Sequence, residues 1–404
     1  MKVLIVTNHF YPEVFRVNDV AFDLATKGNE VTVITCIPNY PIGHFFEGYG
    51  LFKNRKEIIK GVTVLRVPVI PRGEGKGIRL FLNYLSYLIT ASVTTFFQSF
   101  TKKFDCILVH ETSPVTVGIP AVIVKKIQKI PLYFWVLDLW PESLSAAGGI
   151  KNRYILAFFE RIVKYLYSSS DKILMSSKGF EISILEKGDY KSKLVYFPNW
   201  GEDVFSNPAQ VTIPQLPKGF RIMFAGNIGE AQDFESIMQA ALLMKEDKDI
   251  KWILIGDGRK REWVDSFVKK HNLHETVYIL GRYPIDTMPA LFKEADAMLI
   301  TLKDEFIFNL TVPAKLQAYL AASKPVIAML NGEGAEIIKE SGCGYAVKSG
   351  DFKSLVEMIR NKVLTDKDNF KEKLIFYQSW IIVKIKEDIM AENKNNFDAT
   401  VASL

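Results

Sequence analysis

The chain has 404 residues, 48% of them hydrophobic, which is ample for two α/β domains that each bury a core and awkward for a single one. The three cysteines, Cys36, Cys106 and Cys343, form no CxxC pair and sit beside apolar runs, which excludes a disulfide framework or a zinc site and suits a reducing compartment. Residues 1–200 carry 25 Lys+Arg against 16 Asp+Glu, a net of +9, and the remainder 26 against 29, a net of −3, so the basic half is expected to meet the anionic partner.

The apolar run after Met1 and Lys2 is five residues long and stops at Asn8, too short for the core of a signal peptide, so export is not expected. Short β-branched runs then alternate with amphipathic stretches: a strand at 3–7, a helix at about 15–27, and strands at 31–35, 62–67, 106–109, 132–136 and 172–175. That alternation predicts a parallel sheet wound with helices. It breaks at Tyr196-Phe197-Pro198-Asn199-Trp200-Gly201, and Pro208, Pro214 and Pro217 follow, which marks a linker. A second winding has strands at 221–225, 252–255, 277–280, 297–301, 325–328 and 345–347. The expected domains are 1–200, 201–369 and 370–404, the last a helix packing back on the first domain with a frayed polar tail.

The segment 78–100 is apolar and rich in aromatics, but Asn83, Ser86, Thr90, Ser92, Thr94, Thr95 and Gln98 interrupt it, making it a poor transmembrane span. Residues 51–100 hold eight Lys+Arg and two Asp+Glu. Two readings stand: a helix lying in the plane of an anionic membrane surface, or a core helix of the first domain.

Two Rossmann-like sheets facing each other would bind ligands at the carboxyl ends of their strands, around a central cleft. The first such loop, Thr7-Asn8-His9-Phe10-Tyr11-Pro12, lacks GxGxxG, which argues against a dinucleotide-dependent hydride transfer. In the second domain Gly226-Asn227-Ile228-Gly229 and Gly256-Asp257-Gly258 follow strands, where glycine lets a phosphate approach backbone N–H groups, or simply serves a tight turn. In Leu310-Thr311-Val312-Pro313-Ala314-Lys315-Leu316-Gln317 a helix is expected to start with Pro313 in its first turn. Lys315 would then oppose the helix dipole, a conflict that a diphosphate would relieve and that a solvated lysine would tolerate.

In the first domain Asp138 and Glu142 lie just past a buried strand. Asp138 could orient or deprotonate a sugar hydroxyl, or cap the following turn. Arg16 could grip a pyrophosphate with its planar fork, or be an ordinary exposed arginine. His9 and His110 each follow a strand, while His271 and His274 read as surface residues without metal-site spacing.

Taken in order, Tyr11-Pro12-Glu13-Val14-Phe15-Arg16-Val17-Asn18-Asp19, Pro38-Asn39-Tyr40-Pro41, Phe46-Glu47-Gly48-Tyr49, Asp138-Leu139-Trp140-Pro141-Glu142-Ser143, Phe197-Pro198-Asn199-Trp200, Gly226 to Gln232 and Val312 to Leu320 resemble the retaining glycosyltransferases of family 4. These have the GT-B fold, and the likeness is to bacterial O-antigen and capsule N-acetyl-L-fucosamine transferases. The resemblance implies transfer from a UDP-sugar, without a metal, to a polyprenyl-pyrophosphate-linked saccharide at the cytoplasmic face of a membrane. It implies catalytic roles for Asp138, Lys315 and His9. The donor would be held by Gly226, Asn227, Ile228, Gln232, Gly256, Asp257, Gly258, Arg282, Leu310, Thr311, Val312, Lys315 and Gln317. The acceptor would meet Arg16, Asn18, Asp19, Asn39, Tyr40 and Glu142. Where many members of that family carry two glutamates, this chain has Leu310 and Ala318. A UDP-sugar 2-epimerase and a non-catalytic nucleotide-sugar-binding scaffold are the competing readings.

Overall fold

The computed structural model describes residues 1–146, 149–201, 203–205 and 211–365; the expected helix at 370–391 and its tail, like Pro208, lie outside the described residues. The chain divides into two compact units after Pro198.

The first unit is built on an eight-stranded sheet: β1 (Lys2–Val6), β2 (Glu30–Cys36), β3 (Lys56–Ile59), β4 (Val62–Val67), β5 (Cys106–Glu111), β6 (Leu132–Val136), β7 (Lys172–Met175) and β8 (Leu194–Tyr196). The spatial order is β3-β4-β2-β1-β5-β6-β7-β8, parallel throughout except for β3, which runs antiparallel to β4. Helices cover the sheet on both faces, and the central strands answer with unbroken apolar burial, as in Leu132–Val136. Two strands are not evident from sequence. β3 reads Lys-Glu-Ile-Ile and alternates in exposure; it is folded back by the turn Lys60-Gly61, both at positive φ, which matches the twist of a two-residue hairpin. β8 has three residues.

The second unit carries β9 (Phe220–Ala225), β10 (Ile250–Ile255), β11 (Val277–Gly281), β12 (Ala297–Thr301), β13 (Val326–Met329) and β14 (Gly344–Val347), ordered β11-β10-β9-β12-β13-β14 and all parallel. Successive residues of β9 serve opposite cores: Phe224 packs with Phe234, Trp252 and Leu254, and Met223 with Leu291, Leu316 and Tyr319, as the period of a strand requires.

In each sheet the strand order reverses at the first strand. β1 lies between β2 and β5, and β9 between β10 and β12. The loops after β1 and β9 therefore sit at switch points, where open α/β sheets place their ligands.

Candidate active site

In the second unit three glycines bring the loops after β9 and β10 into contact. A Cβ on Gly256 would stand 1.8 Å from the Gly226 carbonyl oxygen, and one on Gly258 would stand 2.3 Å from that of Ile228. Gly226 and Gly256 also hold φ of 139° and 133°, which side-chain-bearing residues avoid. The amide of Asn227 fits because Gly229 and Gly258 carry no side chain.

The absent side chain of Gly226 makes room for Lys315, whose Cε lies 2.5 Å from where that Cβ would be. Lys315 is the second residue of the helix Ala314–Ala321. Its Nζ donates to Gln232 Oε1 at 2.5 Å and sits 3.8 Å from the centroid of the Phe224 ring. Burial pushes its ammonium down to about 7. Among the described residues no carboxylate pairs with it, and its half-buried packing against Gly226 and the Phe224 ring tells against a freely solvated surface lysine. A cation in the first turn, with one neutral acceptor and an aromatic face, suits an anionic ligand that would also take the free amides of the helix.

The other expected donor residues have these surroundings. Pro313 is the residue before the helix, in extended conformation, and not part of its first turn. Ile228 and Leu310 are buried, so their side chains serve the core. Thr311 spends its hydroxyl on the Ile307 carbonyl. Asp257 accepts from the Gly258 amide at 2.8 Å and pairs with the exposed Arg282 at 3.4 Å. Val312 is half-buried against the core that holds Met223, Leu316 and Tyr319. Gln317 is buried, and its Oε1 has no hydrogen-bond partner. A cavity of about 520 Å³ in this unit lies instead beside β14 and the helix Glu333–Ser341 and includes none of the expected residues.

In the first unit the loop after β1 opens onto a cavity of about 280 Å³ whose wall includes His9, Phe15, Tyr40, Arg72, Ser113 and Asp138. His9 stacks on Phe15 with ring centroids 4.6 Å apart, and its Nδ1 meets Glu13 Oε2 at 2.5 Å. The other oxygen of Glu13 accepts from the backbone N–H groups of Asn39 and Tyr40, both at 2.7 Å. One buried carboxylate thus holds His9 and the 39–40 loop together. Arg72 lies over the Tyr40 ring, 4.7 Å from its centroid. Asp138 accepts from Ser113 Oγ at 2.5 Å and from Ser143, and burial raises its carboxyl above the usual range. Beneath it, Glu111 accepts from the amides of Leu137 and Asp138, and burial shifts its carboxyl well upward.

Sequence reasoning named His9, Tyr40 and Asp138 in this wall and missed Glu13 as their organiser and Arg72 as the cation. The spacing His9 to Glu13 was visible, but nothing local showed that residues 39 and 40 would close on Glu13. Five expected acceptor contacts do not line the cavity. Asn18 braces the loop through the Tyr11 amide and the Glu13 carbonyl. Asn39 is buried, bonding to the Ile37 carbonyl and the Arg72 amide. Arg16 faces Asp19 at 3.9 Å. Glu142 is engaged by Lys187 at 2.5 Å and Ser183 at 2.7 Å. His110 lies inside β5, bonded to Thr7, with burial pushing it down to about 3, so only His9 of that pair reaches the cavity.

Among the described residues no three His, Cys, Asp or Glu side chains gather as a metal site. The triplet Asp247-Lys248-Asp249 sits before β10 at the amino end of the sheet, and Arg360 engages Asp247 at 2.7 Å.

Two doubly wound units, each with its polar loops at the switch point, define the GT-B fold. Residues 219–365, nearly all of the described second unit, match the family model described as glycosyl transferases group 1. A stretch of 242 residues is 35% identical to WbjE of Pseudomonas aeruginosa, named a probable glycosyltransferase, and covers 56% of this chain and 58% of that protein. WcaI of Escherichia coli (strain K12), named a putative colanic acid biosynthesis glycosyl transferase, is 24% identical over 91% of this chain and 94% of its own. The crystal structure of Anabaena Alr3699/HepE in complex with UDP superposes with a TM-score of 0.66 at 14% identity, covering 98% of this chain and all of that one. The fold is thus that of the GT-B proteins, and residues 219–365 are similar to the glycosyl transferases group 1.

Proposed function

We propose that this chain is a retaining glycosyltransferase that moves a sugar from a UDP-sugar to a lipid-pyrophosphate-linked saccharide in bacterial surface polysaccharide synthesis. It works without a metal at the cytoplasmic face of the membrane. The donor is N-acetyl-L-fucosamine or another N-acetylhexosamine, carried on UDP. The observation that carries this reading is Lys315: a half-buried ammonium at the first turn of a helix, held among the described residues by Gln232 and an aromatic ring and by no carboxylate.

In the reaction, the bond between the anomeric carbon and the β-phosphate oxygen breaks with its electron pair leaving on UDP, and the acceptor hydroxyl forms the new bond to that carbon. Charge develops on the diphosphate, where Lys315 and the first amides of Ala314–Ala321 stabilise it more than they stabilise the ground state. Asp138, fixed by Ser113 and Ser143, orients the acceptor hydroxyl, whose proton passes to the departing phosphate or to this carboxylate. His9, fixed by Glu13, is a second hydrogen-bonding group toward the acceptor. The naming of WcaI for colanic acid biosynthesis and the UDP bound to the Anabaena neighbour support the choice of substrates.

The test measures UDP release from UDP-N-acetylhexosamines with and without a synthetic lipid-pyrophosphate saccharide. Acceptor-dependent release is expected, and Lys315→Ala lowers kcat by about 100-fold, typical of losing one preorganised donor. Epimerised sugar nucleotide formed without acceptor would replace this reading with a 2-epimerase.

A further inference from the structure

The helix Gly77–Thr101 is long and apolar enough to cross a membrane by length and composition, yet it is stitched along its whole length to the first unit. Its buried positions are Asn83, Tyr87, Ala91, Thr95 and Ser99, a seam with a repeat of four in which four of five residues are polar or small. Asn83 donates to the Ile70 carbonyl at 2.6 Å, Ser86 accepts from the Ile70 amide at 3.0 Å, and Thr90 donates to the Pro68 carbonyl at 2.9 Å. At the far end Gln128 bonds the Ser99 and Lys102 carbonyls. These bonds set the rotation of the helix, and they turn its apolar side outward: Ile78, Phe81, Leu85, Ile89, Val93 and Phe97 are all exposed, in a stripe that runs on to Phe100. This is the reverse of an ordinary surface helix, which buries its apolar stripe.

We propose that this stripe is a docking face for an anionic lipid bilayer, with the helix lying in the plane of the surface rather than spanning it. A stripe some 35 Å long on a helix of this length is more than a scatter of surface apolar groups. The helix has no acidic residue; exposed Arg79 and Lys103 stand at its two ends. Thr94 and the exposed Thr101 donate to carbonyls four residues back, so their hydroxyls enter an apolar medium already satisfied. The helix Arg153–Ser169 continues the same chemistry, exposing Tyr154, Ile155 and Phe158 beside Arg153 and Arg161, with the helix Ile119–Gln128 between the two and touching both. Aromatic groups interleaved with basic ones are what an anionic headgroup layer over acyl chains selects. The inference gives the membrane-bound acceptor of the proposed function a docking surface on the first unit, and it rests on that reading for the choice of a bilayer over other apolar partners.

The experiment is flotation of the full chain with vesicles of phosphatidylglycerol and phosphatidylcholine, without nucleotide or acceptor. Binding is expected, weaker at high salt and on pure phosphatidylcholine. Combined Phe81→Ser, Phe97→Ser and Phe100→Ser should weaken it at least ~10-fold, whereas combined Phe52→Ser and Ile58→Ser, two exposed apolar residues elsewhere on the unit, should not. A solvatochromic label at Phe97→Cys should shift to the blue on vesicles, and one at Phe52→Cys should not, which keeps the test open if the triple variant folds poorly. Equal binding by the triple variant, no binding by the native chain, or a dimer that the triple variant dissociates in the absence of lipid would each overturn the proposal. Vesicle binding without any sugar transfer would sink the transferase reading and leave the docking face standing. Transfer to a water-soluble acceptor without vesicle binding would do the opposite.

Discussion

The two polar sites are built on the same topology and solve opposite problems. In the first unit the acidic and imidazole groups at the cavity are tied to other protein groups, His9 to Glu13, Glu13 to two backbone amides, and Asp138 to two serines, while Arg72 lies on the Tyr40 ring. In the second unit the ammonium of Lys315 meets a neutral amide and a ring, in a bed of glycines. A cross-linked network holds a shape whether or not a ligand is present. An under-compensated buried charge costs stability and is kept for what it binds. The difference fits one site that orients a neutral hydroxyl and another that receives a diphosphate.

The contrast can be broken first at the glycines. Gly256→Ala places a methyl group into the Gly226 carbonyl at a φ that side chains avoid, and should destabilise the second unit by more than about 3 kcal/mol. A denaturant midpoint unchanged from the native chain would show that the two loops part easily.

Next, Glu13→Gln keeps an oxygen for the Asn39 and Tyr40 amides but sets an NH₂ against His9. It should cost about 1–2 kcal/mol in stability and lower turnover, with UDP affinity unchanged. Loss of UDP affinity in this variant would mean that the first unit's network also shapes the nucleotide site.

The smallest effect concerns pH. The Lys315 ammonium is lowered to about 7, so the charged form prevails below that value and is lost as pH rises through it. UDP affinity should therefore fall about tenfold from pH 6 to pH 8, one pK unit being 1.4 kcal/mol, and UDP binding near pH 7 should take up protons. For stability the sign is opposite. The unfolded lysine holds its proton up to about 10.4, so between about 7 and 10 the unfolded chain binds more protons and stability from this group rises with pH. Calorimetry in buffers of different ionisation enthalpy reads the proton count. Proton release on binding, or an affinity flat across this range, would remove Lys315 from the diphosphate.

Much of the fold was legible along the chain. Strands such as Leu132–Val136 and Ala297–Thr301 stand out because a sheet covered on both faces needs unbroken apolar runs, and the loops that follow strands announce where ligands go. His9 and Asp138 follow from that rule and Lys315 from its place in the first turn of a helix, while their catalytic roles came from the family resemblance. β3 escaped because Lys-Glu-Ile-Ile becomes a strand only by pairing with β4 across Lys60-Gly61.

Residue types, their order and the period of burial are local properties, and the sequence by itself determined them: two wound sheets, glycines where backbone approaches backbone, a lysine in the first turn of a helix. Tertiary structure alone decided which polar groups meet. Gln232 reaches Lys315 across 83 residues and Ser113 reaches Asp138 across 25. It also decided that the Gly77–Thr101 helix turns its polar seam inward. A hydrogen bond between distant segments depends on the packing of everything between them, and no periodicity in the chain encodes the partner.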